Sequence, residues 1–356
     1  MDTVLNRDIP VVIPSYQPGE PLLTLCGELQ KIGLSNVLIV DDGSEKSYQK
    51  YFSESERLFG VTVLHHEKNR GKGRALKTAF SYLLKQDGIL GCVTADSDGQ
   101  HLPEDILRCT EALRASPSAL ILGCRDFSGE NVPNKSRFGN NLTKKVFSYL
   151  CGIQISDTQT GLRGIPAGFM KTLLEVGGER FEFETNMLIA CRDTVEIREI
   201  PIETVYDSKE NHQTHFNPVV DSLKIYWLFA KIFLRYIFAS LSSSVIDVVL
   251  FTLFCTLTRS ALPVLYLAVS TVLARIISAS YNWCINYFLV FRGKKSKGKS
   301  IARYFLLALC QMLASALLVT GLSFLTRYLI SDTVLKILVD LVIFFVNYHI
   351  QLKFVY

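Results

Sequence analysis

The residues best suited to metal chemistry form the run Asp96-Ser97-Asp98-Gly99-Gln100-His101, which directly follows an apolar segment, Ile89 to Ala95, that we predict to be a strand. Two carboxylates two residues apart, on a loop at the end of a strand, offer the hard oxygen ligands that Mg²⁺ and Mn²⁺ bind. A divalent ion held there would act as a Lewis acid toward a departing diphosphate. Ordinary surface turns often match such a triplet as well, so the prediction depends on other motifs that agree with it.

Two earlier strand ends carry groups suited to a nucleotide. The first predicted strand, Ile9 to Ile13, runs into Pro14-Ser15-Tyr16 and a Gln-Pro-Gly-Glu turn, which would place Tyr16 beside a planar base. The second, Val37 to Val40, runs into Asp41-Asp42-Gly43-Ser44, where a carboxylate can accept hydrogen bonds from a base or a ribose. Each motif alone is weak, because Asp-Gly turns and capping residues are routine. Together, in this order and all at strand ends, they indicate a nucleotide site.

Basic residues supply candidate phosphate contacts. The loop Asn69-Arg70-Gly71-Lys72-Gly73-Arg74 precedes a predicted helix, and a glycine-rich loop at a helix N-terminus lets phosphate approach the backbone amides closely. The loop lacks the spacing of the phosphate-binding loop of ATPases, so the sequence does not support an ATPase function. Arg125, after the strand Leu120 to Cys124, and Arg137, at the start of the next helix, are candidate phosphate clamps, because a guanidinium binds phosphate oxygens in a bidentate fork. Solvated basic side chains are the alternative in each case.

Strands and helices alternate between these motifs. A further strand is predicted from Val61 to His65. This alternation predicts an α/β fold with a doubly wound, mostly parallel sheet. Because such sheets bind ligands at the carboxyl ends of their strands, the motifs are expected to lie close together. The predicted helices lie near residues 20–32, 72–85, 103–115 and 137–151, the third opened by a proline in its first turn.

The two parts of the chain differ in charge and in hydropathy. Residues 1–215 carry 24 Lys and Arg against 29 Asp and Glu, whereas residues 216–356 carry 14 against 4. The second part contains four apolar runs, each long enough to cross a hydrocarbon core, which needs about 20 helical residues. Its positive charges flank these runs instead of forming a polar stripe, so they indicate a membrane and not a nucleic acid. The runs are 236–257, 263–291, 304–326 and 334–353.

The loops between the runs predict an orientation. Loop 292–303 holds six Lys and Arg and no acid, and the positive-inside bias therefore places it in the cytoplasm. Four crossings would return the C-terminus to that side. The N-terminal residues lack the pattern of a signal peptide, so we expect the first part in the cytoplasm as well, which agrees with this orientation. Segment 216–235 mixes aromatic and basic residues and predicts an interfacial helix on the membrane surface, with an extension of the first membrane helix as the alternative. The nine scattered cysteines have no metal-ligand spacing and indicate reduced thiols.

Seven segments, in this order, resemble glycosyltransferase family 2, and within it the polyprenyl-phosphate sugar transferases such as dolichol-phosphate mannose synthase. The resemblance covers residues 9 to about 222. It implies a GT-A-like nucleotide-sugar-binding fold, a nucleotide-sugar donor, a polyprenyl-phosphate acceptor and inversion at the anomeric carbon. The segments are IPSYQPGE, VDDGS, NRGKGRAL, ADSDGQH, GCRDF, DTQTGLRG and FEFETNM.

The same resemblance implies roles for residues on the donor side. A Mg²⁺ or Mn²⁺ cofactor is expected, with metal contacts from Asp96, Asp98 and Gln100. Lys72 is expected on the donor side through its glycine-rich loop. The implied nucleotide contacts are Pro14, Tyr16, Glu20, Asp42 and Asp96.

On the acceptor side, Arg residues at the places of Arg125 and Arg137 face the lipid phosphate in the resembled enzymes. With Asp98 they are the expected catalytic residues. A phosphate acceptor is largely ionised at neutral pH and attacks without a dedicated base, whereas a sugar hydroxyl would need one. The acceptor pocket is completed by Asp157, Thr160 and Glu184, for which helix capping by Asp157 and an ordinary surface acid at Glu184 are the alternatives.

Residues from about 233 to 356 resemble the GtrA-like family of four-helix membrane domains, through RYIFASLSSSVIDVVLF, YNWCINYFLVF and FFVNYHIQLKFVY. Four charged residues fall inside the apolar runs, namely Asp247, Arg275, Lys336 and Asp340. Because charge is costly in hydrocarbon, they are expected to face each other, a lipid phosphate or a wet crevice. For Arg275, a lipid-phosphate contact and an ion pair with Asp247 are equally favoured.

The sequence therefore predicts a cytosolic catalytic domain over residues 1–215, an interfacial helix or linker over 216–235 and a multi-pass cell-membrane domain over 236–356. The predicted reaction moves a hexose from a UDP- or GDP-linked donor to a polyprenyl phosphate, with a homo-oligomer as a further possibility. Two alternatives stay open at this point. One is a lipid-linked-sugar transporter fused to its supplying enzyme, and the other is a synthase acting on a glycan hydroxyl, although the QxxRW-like segment typical of such synthases is absent.

Overall fold

The computed structural model describes residues 6–126, 134–192, 194–203, 220–261, 264–291, 293, 296–326 and 330–356. The chain separates into two compact units. The first consists of Met1–Ser148 and Ile153–Trp227, and the second of Tyr149–Gly152 and Leu228–Tyr356.

A seven-stranded sheet forms the centre of the first unit, with the strand order β3-β2-β1-β4-β6-β5-β7. Only β6 runs antiparallel to its neighbours, β4 and β5, and the other strands are parallel to one another. The predicted doubly wound, mostly parallel sheet is therefore confirmed. The strands are β1 Val11–Ser15, β2 Val37–Asp41, β3 Thr62–His65, β4 Gly91–Thr94, β5 Leu120–Arg125, β6 Arg163–Pro166 and β7 Ile197–Ile202.

The central strands were predictable because they are apolar on both faces. All five residues of β1 and of β2 are buried, as expected for parallel strands covered by helices on both sides. The strands β6 and β7 were not predicted. The four-residue β6 begins with a buried arginine and ends with a proline, and β7, an edge strand, carries exposed charges at Arg198 and Glu199.

Seven helices of the first unit lie within the described residues. The four predicted helices are present, with bounds within a few residues of those expected. Pro103 occupies the first position of α4, where its missing amide hydrogen costs nothing. Three further helices, α2, α6 and α7, were not predicted from the sequence. The helices are α1 Glu20–Lys31, α2 Gln49–Phe59, α3 Lys72–Leu83, α4 Pro103–Ala115, α5 Asn134–Cys151, α6 Ala167–Leu174 and α7 Glu182–Cys191.

The second unit is helical, with α8 Val220–Thr258, α9 Tyr266–Ile285, α10 Lys297–Leu325 and α11 Asp332–Ile350. Within the described part of the chain, three segments are long and apolar enough to cross a membrane, namely Phe233–Thr258, Lys297–Leu325 and Val334–Val355. The second predicted run, 263–291, forms α9 and a π-helical turn. It is not among these three segments, because Arg275 and several serines lower its hydropathy. Four crossings therefore stay a prediction.

The segment proposed as a separate interfacial helix is not a separate element. From Val220 onward it is the first part of α8, which continues without interruption to Thr258. This corresponds to the alternative, an extension of the first membrane helix. Where this part of α8 lies relative to a bilayer stays a prediction, and residues 216–219 lie outside the described part.

Aromatic packing and small polar contacts hold the helices of the second unit together. Tyr236 of α8 is buried against Phe344 and Tyr348 of α11, and its hydroxyl accepts a hydrogen bond from Asn347 at 3.1 Å. Between α8 and α9, Ser243 donates to the carbonyl of Ser278 at 2.8 Å, which requires close approach of the two backbones, as is usual for serine-rich membrane seams.

The structure also places Arg275 beside Asp247, with Nη2 and Oδ2 3.2 Å apart. The same carboxylate accepts a hydrogen bond from the Ser278 hydroxyl at 2.7 Å. Of the two alternatives for Arg275, the ion pair is therefore the one that the structure contains.

We expect Gly91→Ala to destabilise the sheet. A Cβ at this position of β4 would lie 2.4 Å from the Ile165 carbonyl oxygen and 2.9 Å from Leu113, so the antiparallel β4–β6 pair would have to separate. Overpacking of this kind costs about 1–3 kcal/mol. Thermal unfolding of the full-length protein in detergent measures the effect. Gly168→Ala is the matched control, because a Cβ at this helical position meets no atom within 4 Å, and an unchanged melting temperature for Gly91→Ala would contradict the prediction.

We also expect Asp41 to make stability depend on pH. Burial opposes ionisation of this carboxylate, but hydrogen bonds from Gln49, Ser44 and His65 more than offset it and hold its pKa below the ordinary 3.8. The stability that Asp41 supplies is therefore present above pH 3.8 and is lost as the pH falls through the lower value of the folded state. Asp41→Asn should lower the melting temperature at neutral pH and should make the melting temperature fall less steeply as the pH drops below 3.8. The exposed Glu56→Gln serves as control, and equal acid slopes for Asp41→Asn and the parent would refute the assignment.

Candidate active site

A cavity of about 660 Å³ opens at the carboxyl ends of the parallel strands of the first unit. It collects residues from the carboxyl ends of β1, β2, β4 and β5, from the loop between β3 and α3, from the loop before β6 and from the start of α7. The lining residues are Pro14, Ser15, Tyr16, Asp42, Asn69, Gly71, Lys72, Ala75, Asp96, Ser97, Asp98, Gln100, Arg125, Thr158, Gln159, Arg180, Phe181, Glu184 and Thr185.

Lys72 connects two acidic residues inside this cavity. Its ammonium lies 2.6 Å from Asp96 Oδ1 and 3.0 Å from Glu184 Oε1. Lys72 is the first residue of α3, Asp96 follows β4, and Glu184 lies in the first turn of α7. One side chain therefore joins three elements that are far apart in the sequence.

The two carboxylates of the DxD triplet differ in their electrostatic surroundings. Burial opposes ionisation of Asp96, but the Lys72 ammonium and the His101 ring more than offset it, so its pKa lies far below the ordinary value. The His101 Nε2 is 3.4 Å from Asp96 Oδ2, an ion-pair distance, although it lacks hydrogen-bond geometry. For Asp98, burial and the neighbouring charge of Asp96 raise the pKa. A cation bound between the two groups would relieve this repulsion.

The donor set fits a divalent cation only if the cation takes further ligands from a bound molecule. The described residues contain no group of three His, Cys, Asp or Glu side chains arranged for a metal ion. Asp96, Asp98 and Gln100 nevertheless line the same cavity, and two carboxylates with an amide are oxygen donors of the kind that Mg²⁺ and Mn²⁺ take. Mg²⁺ is commonly held by one or two carboxylates together with substrate phosphates.

The backbone at Gly161 packs closely against the Asp96 carboxylate. A Cβ at Gly161 would lie 2.2 Å from Asp96 Oδ2, so the loop before β6 approaches the carboxylate as closely as glycine permits. Beside it, the Thr94 hydroxyl donates to the Gly161 carbonyl at 2.7 Å. The DTQTGLRG segment thus contacts the DxD triplet, and the spacing of the motifs did not reveal this contact.

Asp42 organises the glycine-rich loop. Its carboxylate accepts hydrogen bonds from the backbone amides of Arg70 at 2.9 Å and Gly71 at 2.7 Å, and it lies 2.8 Å from His66 Nδ1. The second ring nitrogen of His66 lies 2.9 Å from the Thr78 hydroxyl. Sequence reasoning missed His66. Its place directly after β3, on the same edge as the other motifs, was the available signal.

Two glycines are required for this arrangement. Gly43 has φ +74°, and a Cβ there would lie 2.2 Å from the backbone of Lys68. Gly71 has φ +102°, and its Cβ would lie 2.4 Å from the Glu179 carbonyl oxygen. Only glycine adopts these angles without strain and also allows the backbones to meet.

Arg125 is oriented by Asp157. Its Nε donates to Asp157 Oδ2 at 2.6 Å and its Nη2 to Oδ1 at 3.1 Å. This is a two-point contact with a carboxylate that is fully buried. Arg125 itself lines the cavity, whereas Asp157 does not.

Arg163 joins the loop before β6 to α7 and was also missed. This fully buried side chain donates through Nε to the Thr160 carbonyl at 2.9 Å and through Nη1 to the Glu184 carbonyl at 2.7 Å. It therefore fixes the backbone on which Glu184 stands. A buried arginine is uncommon without such partners, and the lone Arg in GLRG was the sequence signal.

The structure brings together most of the predicted site residues. Nine of them line the cavity, namely Pro14, Tyr16, Asp42, Lys72, Asp96, Asp98, Gln100, Arg125 and Glu184. Glu20, Asp157 and Thr160 do not line it: Glu20 is exposed at the start of α1, and the other two are buried. The side chain of Arg137 lies outside the described part. Sequence reasoning did not single out Asn69, Thr158, Gln159, Arg180, Phe181 or Thr185.

Comparison with known protein families matches both parts of the chain. Residues 11–177 match the model of glycosyl transferase family 2. Residues 224–356 match the GtrA/DPMS transmembrane domain. The first match contains the DxD triplet, the glycine-rich loop and Arg125, and the second contains α9, α10 and α11.

Individual relatives align with about half of the chain. A UDP-N-acetylglucosamine–dolichyl-phosphate N-acetylglucosaminyltransferase of Methanococcus voltae is 29% identical over 222 residues, which cover 56% of this chain and 87% of the relative. An uncharacterised protein of Methanocaldococcus jannaschii is 30% identical, with 57% of this chain and 84% of the relative covered. The polyprenol monophosphomannose synthase of Mycolicibacterium smegmatis is 30% identical, with 43% and 59% covered. The chain therefore belongs to glycosyltransferase family 2, and its catalytic part is joined to a GtrA/DPMS transmembrane domain.

Proposed function

We propose that this membrane protein transfers a hexose from a UDP- or GDP-linked donor to a polyprenyl phosphate at the cytoplasmic face of the cell membrane, with inversion at the anomeric carbon. The product is a polyprenyl-phosphate sugar for cell-envelope glycosylation. The observation that carries the proposal is the joint presence of Asp96, Asp98, Lys72 and Arg125 in one cavity. This combination offers a metal site for a diphosphate beside a cationic site for a second phosphate.

On the donor side, Pro14, Tyr16 and Asp42 hold the nucleoside. Tyr16 presents a ring to the base, and Asp42, whose hydrogen bonds hold the amides of the glycine-rich loop, places that loop beside the phosphates. Lys72 stands at the N-terminus of α3, where helix amides and an ammonium both favour negative charge. Glu20 is exposed and does not line the cavity, so the proposal assigns it the outer edge of the nucleotide site.

Asp96, Asp98 and Gln100 would hold Mg²⁺ or Mn²⁺. When bound, the ion supplies Lewis-acid stabilisation of the charge that develops on the leaving diphosphate. Lys72 contributes a second, fixed positive charge, because the Asp96 and Glu184 carboxylates offset the effect of its burial and keep its pKa above the ordinary lysine value.

On the acceptor side, Arg125 binds the lipid phosphate. Asp157 is assigned a positioning role, because its carboxylate holds the Arg125 guanidinium and does not line the cavity. Thr160 is buried and supports the same loop, while Glu184 contacts Lys72. Arg137 remains a proposed second phosphate contact. The acceptor oxygen is already ionised near neutral pH, so the site needs no general base, in contrast to transfer onto a sugar hydroxyl.

The second unit holds the enzyme at the bilayer, where a polyprenyl chain resides. The proposed orientation, with the catalytic part and the C-terminus in the cytoplasm, depends on the six basic residues of 292–303. The proposed bounds of the catalytic, linking and membrane parts are 1–215, 216–235 and 236–356.

Replacement of Asp98 should strongly reduce transfer. Asp98→Asn keeps the shape of the side chain but removes one charged metal ligand, and we expect kcat/KM to fall about a hundredfold or more, equivalent to roughly 2.7 kcal/mol of barrier. Purified full-length protein is assayed with undecaprenyl phosphate and labelled UDP- and GDP-sugars, with Mg²⁺, with Mn²⁺ and with chelator.

Asp87→Asn is the control for this assay, since it changes an exposed aspartate outside the cavity. Activity that survives both chelator and Asp98→Asn would rule out the metal site. Transfer to a free oligosaccharide but not to the lipid would instead favour the synthase.

Replacement of Arg125 should act on the acceptor. Arg125→Lys keeps one positive charge but loses the two-point contact with Asp157, so we expect the KM for polyprenyl phosphate to rise about tenfold while donor binding stays unchanged. Steady-state kinetics at varied lipid, together with calorimetric titration of the nucleoside diphosphate, separate the two effects.

Asp157→Asn should also raise the KM for polyprenyl phosphate, because Arg125 is kept but the carboxylate that orients its guanidinium is lost. If either variant raised only the KM for the donor, Arg125 would bind the donor and not the acceptor.

A further inference from the structure

A second polar cluster lies on the α10–α11 pair, outside the proposed active site. Lys336 of α11 forms an ion pair with Asp340 one helical turn away. The Ser315 hydroxyl of α10 donates to Asp340 Oδ1 at 2.7 Å, and the Lys336 ammonium lies 2.9 Å from the same hydroxyl. None of these three residues has a role in the glycosyl transfer proposed above.

The cluster lies near the middle of two membrane-spanning helices. At one end of the pair, Arg303 donates to the Phe354 carbonyl at 2.9 Å. With a rise of 1.5 Å per residue, Ser315 is about 18 Å along α10 from Arg303 and about 15 Å from the helix end at Leu325. Because the hydrocarbon core is about 30 Å thick, the cluster lies close to its midplane.

At this depth the two charged side chains face outward. The Lys336 side chain is 53% exposed and that of Asp340 is 49% exposed. Exposed apolar residues neighbour the cluster along the two helices: Met312 lies one turn before Ser315, and Ile337 and Leu341 directly follow Lys336 and Asp340. Ion pairing lowers the cost of placing these charges in hydrocarbon, but within the described part of the chain the Lys336 ammonium contacts only Ser315 and Asp340. Such groups in membrane helices normally face protein.

The depth and the signs of the charges indicate the kind of partner. A lipid phosphate lies at the membrane interface, about 15 Å from the midplane, and would satisfy only the lysine. A second copy of this chain, inserted in the same direction, presents the same two charges at the same depth. Lys336 and Asp340 are about 6 Å apart along the helix, a distance that a lysine side chain spans.

We propose that two copies of this chain associate in the membrane through their α10–α11 faces, around a two-fold axis along the membrane normal, with Lys336 of each copy bonded to the partner's Asp340. The surface is self-complementary, as a two-fold interface requires. The four charges sum to zero, and each ammonium and each carboxylate gains a further hydrogen-bond partner away from lipid.

Single-molecule photobleaching of sparsely labelled full-length protein in liposomes tests the proposal over a range of protein-to-lipid ratios. The parent protein should bleach in two steps. Lys336→Met/Asp340→Leu, which removes both charges and inserts into a bilayer at least as readily, should raise the apparent dimer dissociation constant about tenfold or more. A parent that stays monomeric at every density, or bleaches in three or more steps, would overturn the two-fold pairing.

Two matched variants locate the interface. Leu317→Ala alters an exposed apolar residue that follows Ser315 by two positions and so lies on the opposite side of α10, about 200° around the helix. Arg275→Gln removes a largely exposed charge from α9. Both should leave the dimer intact. If Arg275→Gln weakened the dimer as much as Lys336→Met/Asp340→Leu, the interface would include α9, and the proposal would be contradicted.

A complementation experiment distinguishes loss of dimerisation from loss of folding. Lys336→Asp and Asp340→Lys each place like charges on the face and should be monomeric alone, whereas a mixture of the two should form heterodimers. Mixed samples that remain monomeric, although the melting temperature in detergent matches that of the parent, would contradict the proposed pairing.

Discussion

The ammonium group of Lys72 holds the catalytic cavity together. It lies between Asp96 and Glu184, two acids that would otherwise repel each other in a partly buried space. In such surroundings, charges interact more strongly than in water, and loss of one partner leaves the other uncompensated. The end of β4, the start of α3 and the start of α7 therefore share one electrostatic contact.

Close backbone approach around this contact accounts for the glycines of the motifs. Gly161 allows its loop to reach Asp96, and Gly71 allows α3 to begin against the backbone of Glu179. The Asp42 carboxylate accepts hydrogen bonds from the backbone amides of the glycine-rich loop. Polar groups at the sheet edge thus satisfy one another, while the strands below supply an apolar and rigid base. The proposed sugar transfer would benefit from such rigidity, because errors of about an ångström in the position of reacting groups lower rates strongly.

The membrane domain uses polar groups differently. The contacts between Ser243 and Ser278 and between Ser278 and Asp247 lie between helices and hold α8 against α9. The pair Lys336 and Asp340 faces outward. Because lipid does not satisfy polar groups, the first kind of contact fixes the helices of one chain, and the second is available to another chain.

The central strands, the order of the motifs at their ends and the apolar runs of the membrane part could be predicted from the sequence, because these features depend on local composition and periodicity. Continuous apolar composition made β1 and β2 recognisable, and a strand followed by DSDGQH located the DxD triplet at the end of β4. Tertiary structure alone decided that β6 runs antiparallel, that Asp157 orients Arg125, that Arg163 and His66 support the site, and that the segment before the first span continues α8. These features arise from contacts between residues distant in the chain, and the pairing of a charged side chain with one carboxylate instead of another leaves no periodic trace in the sequence.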